Sequence, residues 1–346
     1  MLLKKKIRPI FILISMFMIL CNPYTVMLSV RNSLIMCYSS VIPSLYVFMV
    51  FSLYISQGDY TDVLSLPLRF FGRLMKTEDN NYSACLLLSL IGGFAVGASM
   101  INKLHEYGYS ENSLKAIAPS MINNSLSFCV MAVGAGMLGN YQLGLMLFIS
   151  LTAASLITSF IFSFLFRYDT ITKSSSYQSH VLTFVECVNN SVKNILSICG
   201  FVILFNCICE VISLYTDSIL MELFLFCFTE VTAGCSKILY FTGKNPFLLC
   251  AALSIFPVCT ICQVKYFTTG INIIPSLLLS RLIHTPVSLL FFSVISNVFP
   301  VSASVLNPDS IMIKSFYNTS EISATLFMIS LCFIVIVDRN SLFTKK

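Results

Sequence analysis

Glu230-Val231-Thr232-Ala233-Gly234 lies inside an apolar run from Ile219 to Phe241. An ionisable side chain at such a depth in a bilayer costs about 2.5–3.5 kcal/mol on insertion scales, so it requires a partner, a proton or water. The first half of the chain holds a counterpart. Gly97-Ala98-Ser99 sits in a similar apolar run and is followed, like Gly234-Cys235-Ser236, by a basic residue and then a tyrosine-containing loop. A glycine-interrupted helix in each half of a membrane chain is the pattern of a transporter.

Composition agrees. The chain is 57% hydrophobic and 10% charged, with a mean hydropathy of +0.86. Soluble domains carry about 25% charged residues, so this chain cannot cover a water-facing surface. Apolar runs near the length of a membrane-crossing helix recur, and the short alternating segments of a β-barrel do not. The expected fold is an all-α polytopic membrane protein with about 8–10 transmembrane segments. Their bounds are roughly 9–30, 36–56, 84–104, 113–138, 142–166, 193–215, 219–241, 246–268, 273–298 and 318–337.

Lys4, Lys5, Lys6 and Arg8 precede the first run, and Asn22-Pro23-Tyr24 follows it where a cleavage site would need small residues. This reads as an uncleaved first helix with a cytoplasmic N-terminus. Arg339, Lys345 and Lys346 place the C-terminus on the same side, which implies an even number of crossings. Most of the 14 cysteines fall in apolar runs, where they act as small hydrophobes. Cys259-Thr260-Ile261-Cys262 lacks the second pair or histidines of a zinc site, and no metal or cofactor is expected. No basic, aromatic-interleaved surface suggests nucleic acid.

The chain divides into an N-terminal helix (1–35), a first unit (36–166), a serine-rich polar loop (167–190), a second unit (191–298) and a C-terminal helix with a basic tail (299–346). The two units have similar order and are read as repeats. If Gly92-Gly93 and Ala233-Gly234 are the tips of re-entrant hairpins, each half has three crossings and the repeats are inverted. Irregular backbone at that depth is tolerated only where protein or a water-filled cavity surrounds it. Leu64 to Lys76 interleaves leucine and phenylalanine with Arg69, Arg73 and Lys76, an expected interfacial helix near 64–76.

Four polar groupings inside apolar runs are candidates for chemistry. Gly92-Gly93-Phe94-Ala95-Val96-Gly97 could open a helix toward substrate or merely allow close packing. Asn123-Asn124-Ser125 holds adjacent amides that point to different sides of a regular helix, so satisfying both favours a break or a cavity. Glu230 with Thr229 and Thr232 could bind a proton or cation, or recognise a donor on a substrate. Gln263 and Arg281-Leu282-Ile283-His284 form the fourth; Arg281 and His284 share a helix face. Arg281 either snorkels to the interface or supplies a counter-charge to Glu230 or to an anionic substrate. His105, His180 and His284 are scattered and no hydrolase or nucleotide-binding signature occurs, so the chain is not expected to be an enzyme.

At these residues the sequence resembles the sporulation integral membrane proteins of the dipicolinate-transporter type (stage V of sporulation), within the nucleoside-recognition, or Gate-domain, superfamily. The resemblance covers roughly 36–298. Gly93-Phe94-Ala95-Val96-Gly97-Ala98 is similar to the family's Gly-Tyr-Pro-x-Gly-Ala, with Ala95 in place of proline. Asn123-Asn124-Ser125 with Phe128 and Gly134 is similar to a second motif, with Ser127 in place of proline. Glu230-Val231-Thr232-x-Gly234 matches a Glu-x-Thr-x-Gly element, Gln263 falls at the family's glutamine, and Arg281-x-x-His284 matches the closing motif. Phe256-Pro257 stands where the family has Gly-Gly, and Ile261 where it has histidine.

The resemblance implies a bacterial cytoplasmic membrane protein, in the outer forespore membrane of a sporulating host, that moves a small polar anion such as dipicolinate. Its substrate site would draw on Gly93, Gly97, Asn123, Asn124, Ser125, Glu230, Thr232, Gly234, Gln263, Arg281 and His284, with a coupling proton or cation. A nucleoside or nucleobase transporter of the same superfamily is the alternative, and a neutral nucleoside would avoid repulsion by Glu230. A non-transporting scaffold of the spore envelope is the third reading; it expects Asn124→Ala and Glu230→Ala to be tolerated.

Overall fold

The computed structural model describes residues 13–58, 60–75, 80–166, 182–268 and 270–299. The described residues form helices and connecting turns, with no strand among them. Among the described residues four helices are long and apolar enough to cross a membrane: Pro23–Ile55, Tyr141–Leu165, Phe184–Ser213 and Ile274–Val298. The pair Pro246–Ser254 and Val258–Phe267, bent by 42°, makes a fifth if it is counted as one span. The chain is a multi-pass, all-α membrane protein.

That is fewer spans than the apolar runs suggested, for two reasons. The runs 84–104, 113–138, 219–241 and 246–268 are each broken near the middle. The expected gap between segments 9–30 and 36–56 is instead helical, within Pro23–Ile55, while residues 13–21 form a separate helical stretch that ends at Asn22. No glycine or proline interrupts the backbone around Arg31-Asn32, so polar side chains there do not end the helix. Its one irregularity is the π-helical turn Cys37–Val41. Pro43 lacks the N–H that would continue the ladder, and Ser44 Oγ donates to Ser40 O at 2.6 Å in that region. The expected segment 318–337 and the expected loop residues 167–181 lie outside the described residues.

Phe184–Ser213 begins within the stretch expected to be a polar loop. Thr183 and Glu186 form a capping box: Thr183 N donates to Glu186 Oε2 at 2.8 Å, and Glu186 N to Thr183 Oγ1 at 3.3 Å. This helix packs along Pro23–Met36 and Ile42–Ile55, and buried Asn206 donates to Ser33 Oγ at 2.6 Å across that contact. The expected single helix at 64–76 is instead Thr61–Ser65, a 3-10 turn at Leu66–Leu68 and Arg69–Leu74. Pro67 interrupts it. Arg69 and Arg73 are exposed beside exposed Leu66 and Phe70, while Phe71 and Met75 join the core. Lys76 lies outside the described residues.

Between the long helices the chain folds into two helical hairpins. Asn81–Gly92 turns back at Gly93 into Phe94–Glu106, and Ile219–Thr229 turns back at Glu230 into Val231–Thr242; in each case the arms pack against one another. Arms of 11 to 13 residues are about 16–20 Å long, too short to cross about 30 Å of hydrocarbon. The first tip is where the glycines suggested. Gly93 has φ +80° and ψ −168°, a region that side chains exclude. The second tip is at Glu230 rather than Ala233-Gly234. Gly234 lies inside the returning arm, and a Cβ there would sit 2.8 Å from the Cys227 Cα of the other arm. Its glycine serves close packing.

Charges hold the base of the second hairpin. Lys237 Nζ lies 2.7 Å from Glu222 Oε1, 3.3 Å from Glu210 Oε1 and 4.5 Å from the centre of the Phe226 ring. The lysine thus joins both arms of the hairpin to Phe184–Ser213. All three charged side chains keep some exposure, which reduces the worth of each pair. Lys237→Met should nonetheless lower stability by about 1–2 kcal/mol, because two neighbouring carboxylates lose their common cation. Thermal unfolding in detergent would check this, and adding Glu222→Gln should restore part of the loss. Wild-type stability in the single variant would show that the triad contributes nothing.

After each hairpin comes a broken helix. Glu111–Met121 stops at Ile122, and Phe128–Leu138 resumes the run as π-helix. Pro246–Ser254 and Val258–Phe267 are separated at Ile255-Phe256-Pro257. A long helix follows each, Tyr141–Leu165 and Ile274–Val298.

Candidate functional site

Breaking a helix frees carbonyls and N–H groups, and in a membrane each unpaired one costs several kcal/mol. The polar residues of the sequence motifs meet that demand first. Asn124 Nδ2 donates to Leu253 O at 2.7 Å, which ties the break of one interrupted helix to that of the other. Arg281 Nη2 donates to Ile122 O at 2.9 Å, at the first break. Arg281 Nη1 lies 3.2 Å from His284 Nδ1; with that nitrogen accepting, His284 Nε2–H donates to Leu151 O at 3.2 Å. Asn123 Nδ2 also reaches Leu151 O, at 3.3 Å. Ser125 Oγ accepts from Phe128 N at 3.0 Å and so caps the resumed helix.

Arg281 therefore neither snorkels to the interface nor pairs with Glu230. Its guanidinium is committed to Ile122 O and His284 and lies 5.2 Å from the Phe256 ring centre. Among the described residues no carboxylate is within ion-pair distance of it.

Glu230 is 2% exposed and serves as the N-cap of the arm it begins. Its Oε1 accepts from Thr232 N at 3.0 Å and its Oε2 from Ala233 N at 2.6 Å. The carboxylate thus occupies the positive end of its own helix. The first hairpin is arranged differently. Gly93 is the N-cap of Phe94–Glu106 and no side chain caps that helix. One hairpin tip caps its helix with its own carboxyl group; the other has no side-chain cap.

Both tips face one small cavity of about 30 Å³. Its wall takes residues from both hairpin tips, both broken helices and two long helices: Gly93, Asn124, Ser125, Glu230, Thr232 and Gln263, closed by Val41, Leu45, Ile198 and Val202. The cavity is narrow, wide enough for water but not for an aromatic ring without movement of the helices. Gln263 donates to Cys259 Sγ at 3.1 Å, and its buried Oε1 has no partner.

A second, smaller cavity of about 20 Å³ abuts the first and shares Phe94, Asn124, Val231 and Thr260 with it. Asn123, Phe256 and Arg281 line its far side. Here Asn123 Oδ1 and Arg281 Nε are buried without partners. The N-terminus of Val258–Phe267, with Pro257 as N-cap, is also uncapped by any side chain.

Of the residues singled out in the sequence, these cavities gather Gly93, Asn123, Asn124, Ser125, Glu230, Thr232, Gln263 and Arg281. Gly97, Gly234 and His284 line neither. Gly97 presses its helix onto the Met121 carbonyl, Gly234 lets the second hairpin close, and His284 braces Arg281. Thr260, common to both cavities, was not singled out; its place three residues before Gln263 on the same helix face was the available signal.

No family model, curated protein or solved structure matches the chain.

Proposed function

We propose that this chain is a membrane transporter of a small polar anion, with dipicolinate the candidate that the sequence resemblance implies. The observation that carries the reading is the convergence of two hairpin tips and two helix breaks on one buried cavity containing an unpaired amide group. Irregular backbone inside a membrane is stable where it lines such a cavity, and discontinuous helices are how transporters bind at mid-depth. The open N-terminus at Gly93 offers backbone N–H groups to an anion. Asn124, Ser125 and Thr232 supply further hydrogen bonds, and Glu230 is the group through which a proton or cation would couple.

The order long helix, hairpin, broken helix, long helix occurs twice. In this reading the halves are related repeats, the hairpins are re-entrant, and the elements hinge at Gly93 and Glu230 to admit substrate. The membrane is the bacterial cytoplasmic one, or the outer forespore membrane in a sporulating host, with both termini cytoplasmic.

Uptake into proteoliposomes tests the reading. Radiolabelled dipicolinate should accumulate saturably, and Asn124→Ala should reduce initial uptake at least about 10-fold by releasing the contact between the two breaks. Accumulation of uridine but not dipicolinate would move the function to the superfamily's nucleoside chemistry. No uptake of either by folded protein would leave the envelope scaffold as the better reading.

A further inference from the structure

The two cavities differ in what they lack. On one side, Glu230 accepts from two backbone N–H groups and the Thr232 side chain, leaving little more than one acceptor position, and Gln263 Oε1 has no donor. On the other, Arg281 is a cation held between a carbonyl and an imidazole, with no carboxylate within ion-pair distance among the described residues. Its Nε is buried and unpaired, and the uncapped start of Val258–Phe267 adds a second positive pole to the same cavity. Arg281 is half-buried, yet a guanidinium whose Nε is shut away from water without an anion is costly, and part of that desolvation is recovered when a counter-charge arrives.

We infer that the abutting cavities form one bipartite site for a small flat monoanion that also carries N–H or O–H donors, its anionic group against Arg281 and its donors toward Glu230 and Gln263. The inference rests on reading these cavities as the substrate site, and it narrows the substrate class by ranking monoanions above the dianionic dipicolinate candidate. Separation decides the point. Arg281 and Glu230 line different cavities and do not pair, so a monoanion placed at Arg281 meets the cation and leaves the donor side to hydrogen bonding. A dianion such as dipicolinate would bring its second charge toward Glu230, where only the partial positive charge of the uncapped start of Phe94–Glu106 could receive it, and low dielectric sharpens the repulsion by the carboxylate. A neutral solute would leave Arg281 uncompensated. Phe94, shared by both cavities, and Phe256, beneath the guanidinium, provide flat apolar walls for a ring.

Three probes separate these cases in calorimetric titrations of the detergent-purified full chain, in a buffer free of small carboxylates. Orotate is a ring monocarboxylate with two N–H donors, orotamide is its neutral analogue of nearly the same shape, and pyridine-2,6-dicarboxylate is the dianion. Orotate should bind at least about 10-fold more tightly than orotamide, the worth of one charge-assisted contact, and more tightly than the dicarboxylate. In Arg281→Gln the preference for orotate over orotamide should disappear. If that variant does not purify as a monodisperse species, the wild-type comparison decides alone, since the two ring probes differ chiefly in charge. Equal affinity for orotate and orotamide would overturn the anionic subsite. Tightest binding of the dicarboxylate would overturn the ranking of monoanion above dianion, and binding of no probe would overturn the site. Titration needs no gradient, so binding with the expected preference but no proteoliposome uptake would remove the transport reading and leave the bipartite site standing.

Discussion

Glu230→Ala should lower the stability of the folded chain by about 2–4 kcal/mol and abolish uptake. Two buried N–H groups, those of Thr232 and Ala233, lose their acceptors, and each orphaned donor costs about 1–3 kcal/mol, partly recovered where cavity water can enter. The substitution series distinguishes the carboxylate's two duties. Glu230→Asp keeps a good N-cap and should hold most of the stability while drawing the charge back from the cavity. Glu230→Gln keeps one acceptor but turns an amide N–H₂ toward the second backbone donor, so it should fall between wild type and alanine. Melting in detergent, read beside uptake at several pH values, gives both axes. If Glu230→Ala melts with the wild type, the carboxylate does not hold the hairpin tip.

The second large effect is expected at a glycine outside the cavities. A methyl group at Gly97 would collide with the carbonyl oxygen of Met121, the last residue before the first broken helix stops. Backbone cannot rotate aside as a side chain can, so Phe94–Glu106 and Glu111–Met121 must separate. Gly97→Ala should therefore cost about 3 kcal/mol, the upper end of ordinary overpacking, and should weaken binding by shifting the Ile122 carbonyl that Arg281 holds. Gly200→Ala is the control: nothing lies within 4 Å of its Cβ position, and in a helix interior it should gain about 0.5–1 kcal/mol. Equal melting temperatures for the two variants would refute the packing argument.

Membrane residence and helical class were legible because they depend on composition and run length alone. The break at Gly93 was legible because only glycine takes its backbone conformation. Adjacent Asn123 and Asn124 called for a break, and Glu111–Met121 does end just before them. The tip at Glu230 was placed three residues late, since glutamate usually continues a helix and becomes an N-cap only where the chain reverses. Pro257 interrupts the run 246–268, yet a continuous apolar stretch concealed that break. Arg281 and His284 were visibly on one face, but their partners, Ile122 O and Leu151 O, are main-chain atoms far away in sequence. A carbonyl carries no mark in the sequence, so the most consequential contacts of the site could be found only in three dimensions.

The contact from Arg281 to Ile122 O also sets an order of assembly. Helices enter the bilayer from the N-terminus as the ribosome delivers them, so the first broken helix arrives with that carbonyl unclaimed, and the residue that claims it lies 159 positions later. Until the Ile274–Val298 helix is inserted, the first half is an incomplete structure waiting in lipid. On this order a nascent chain arrested before Arg281 should be degraded faster than the full chain, and Ile274–Val298 acts as the clasp that closes the described fold.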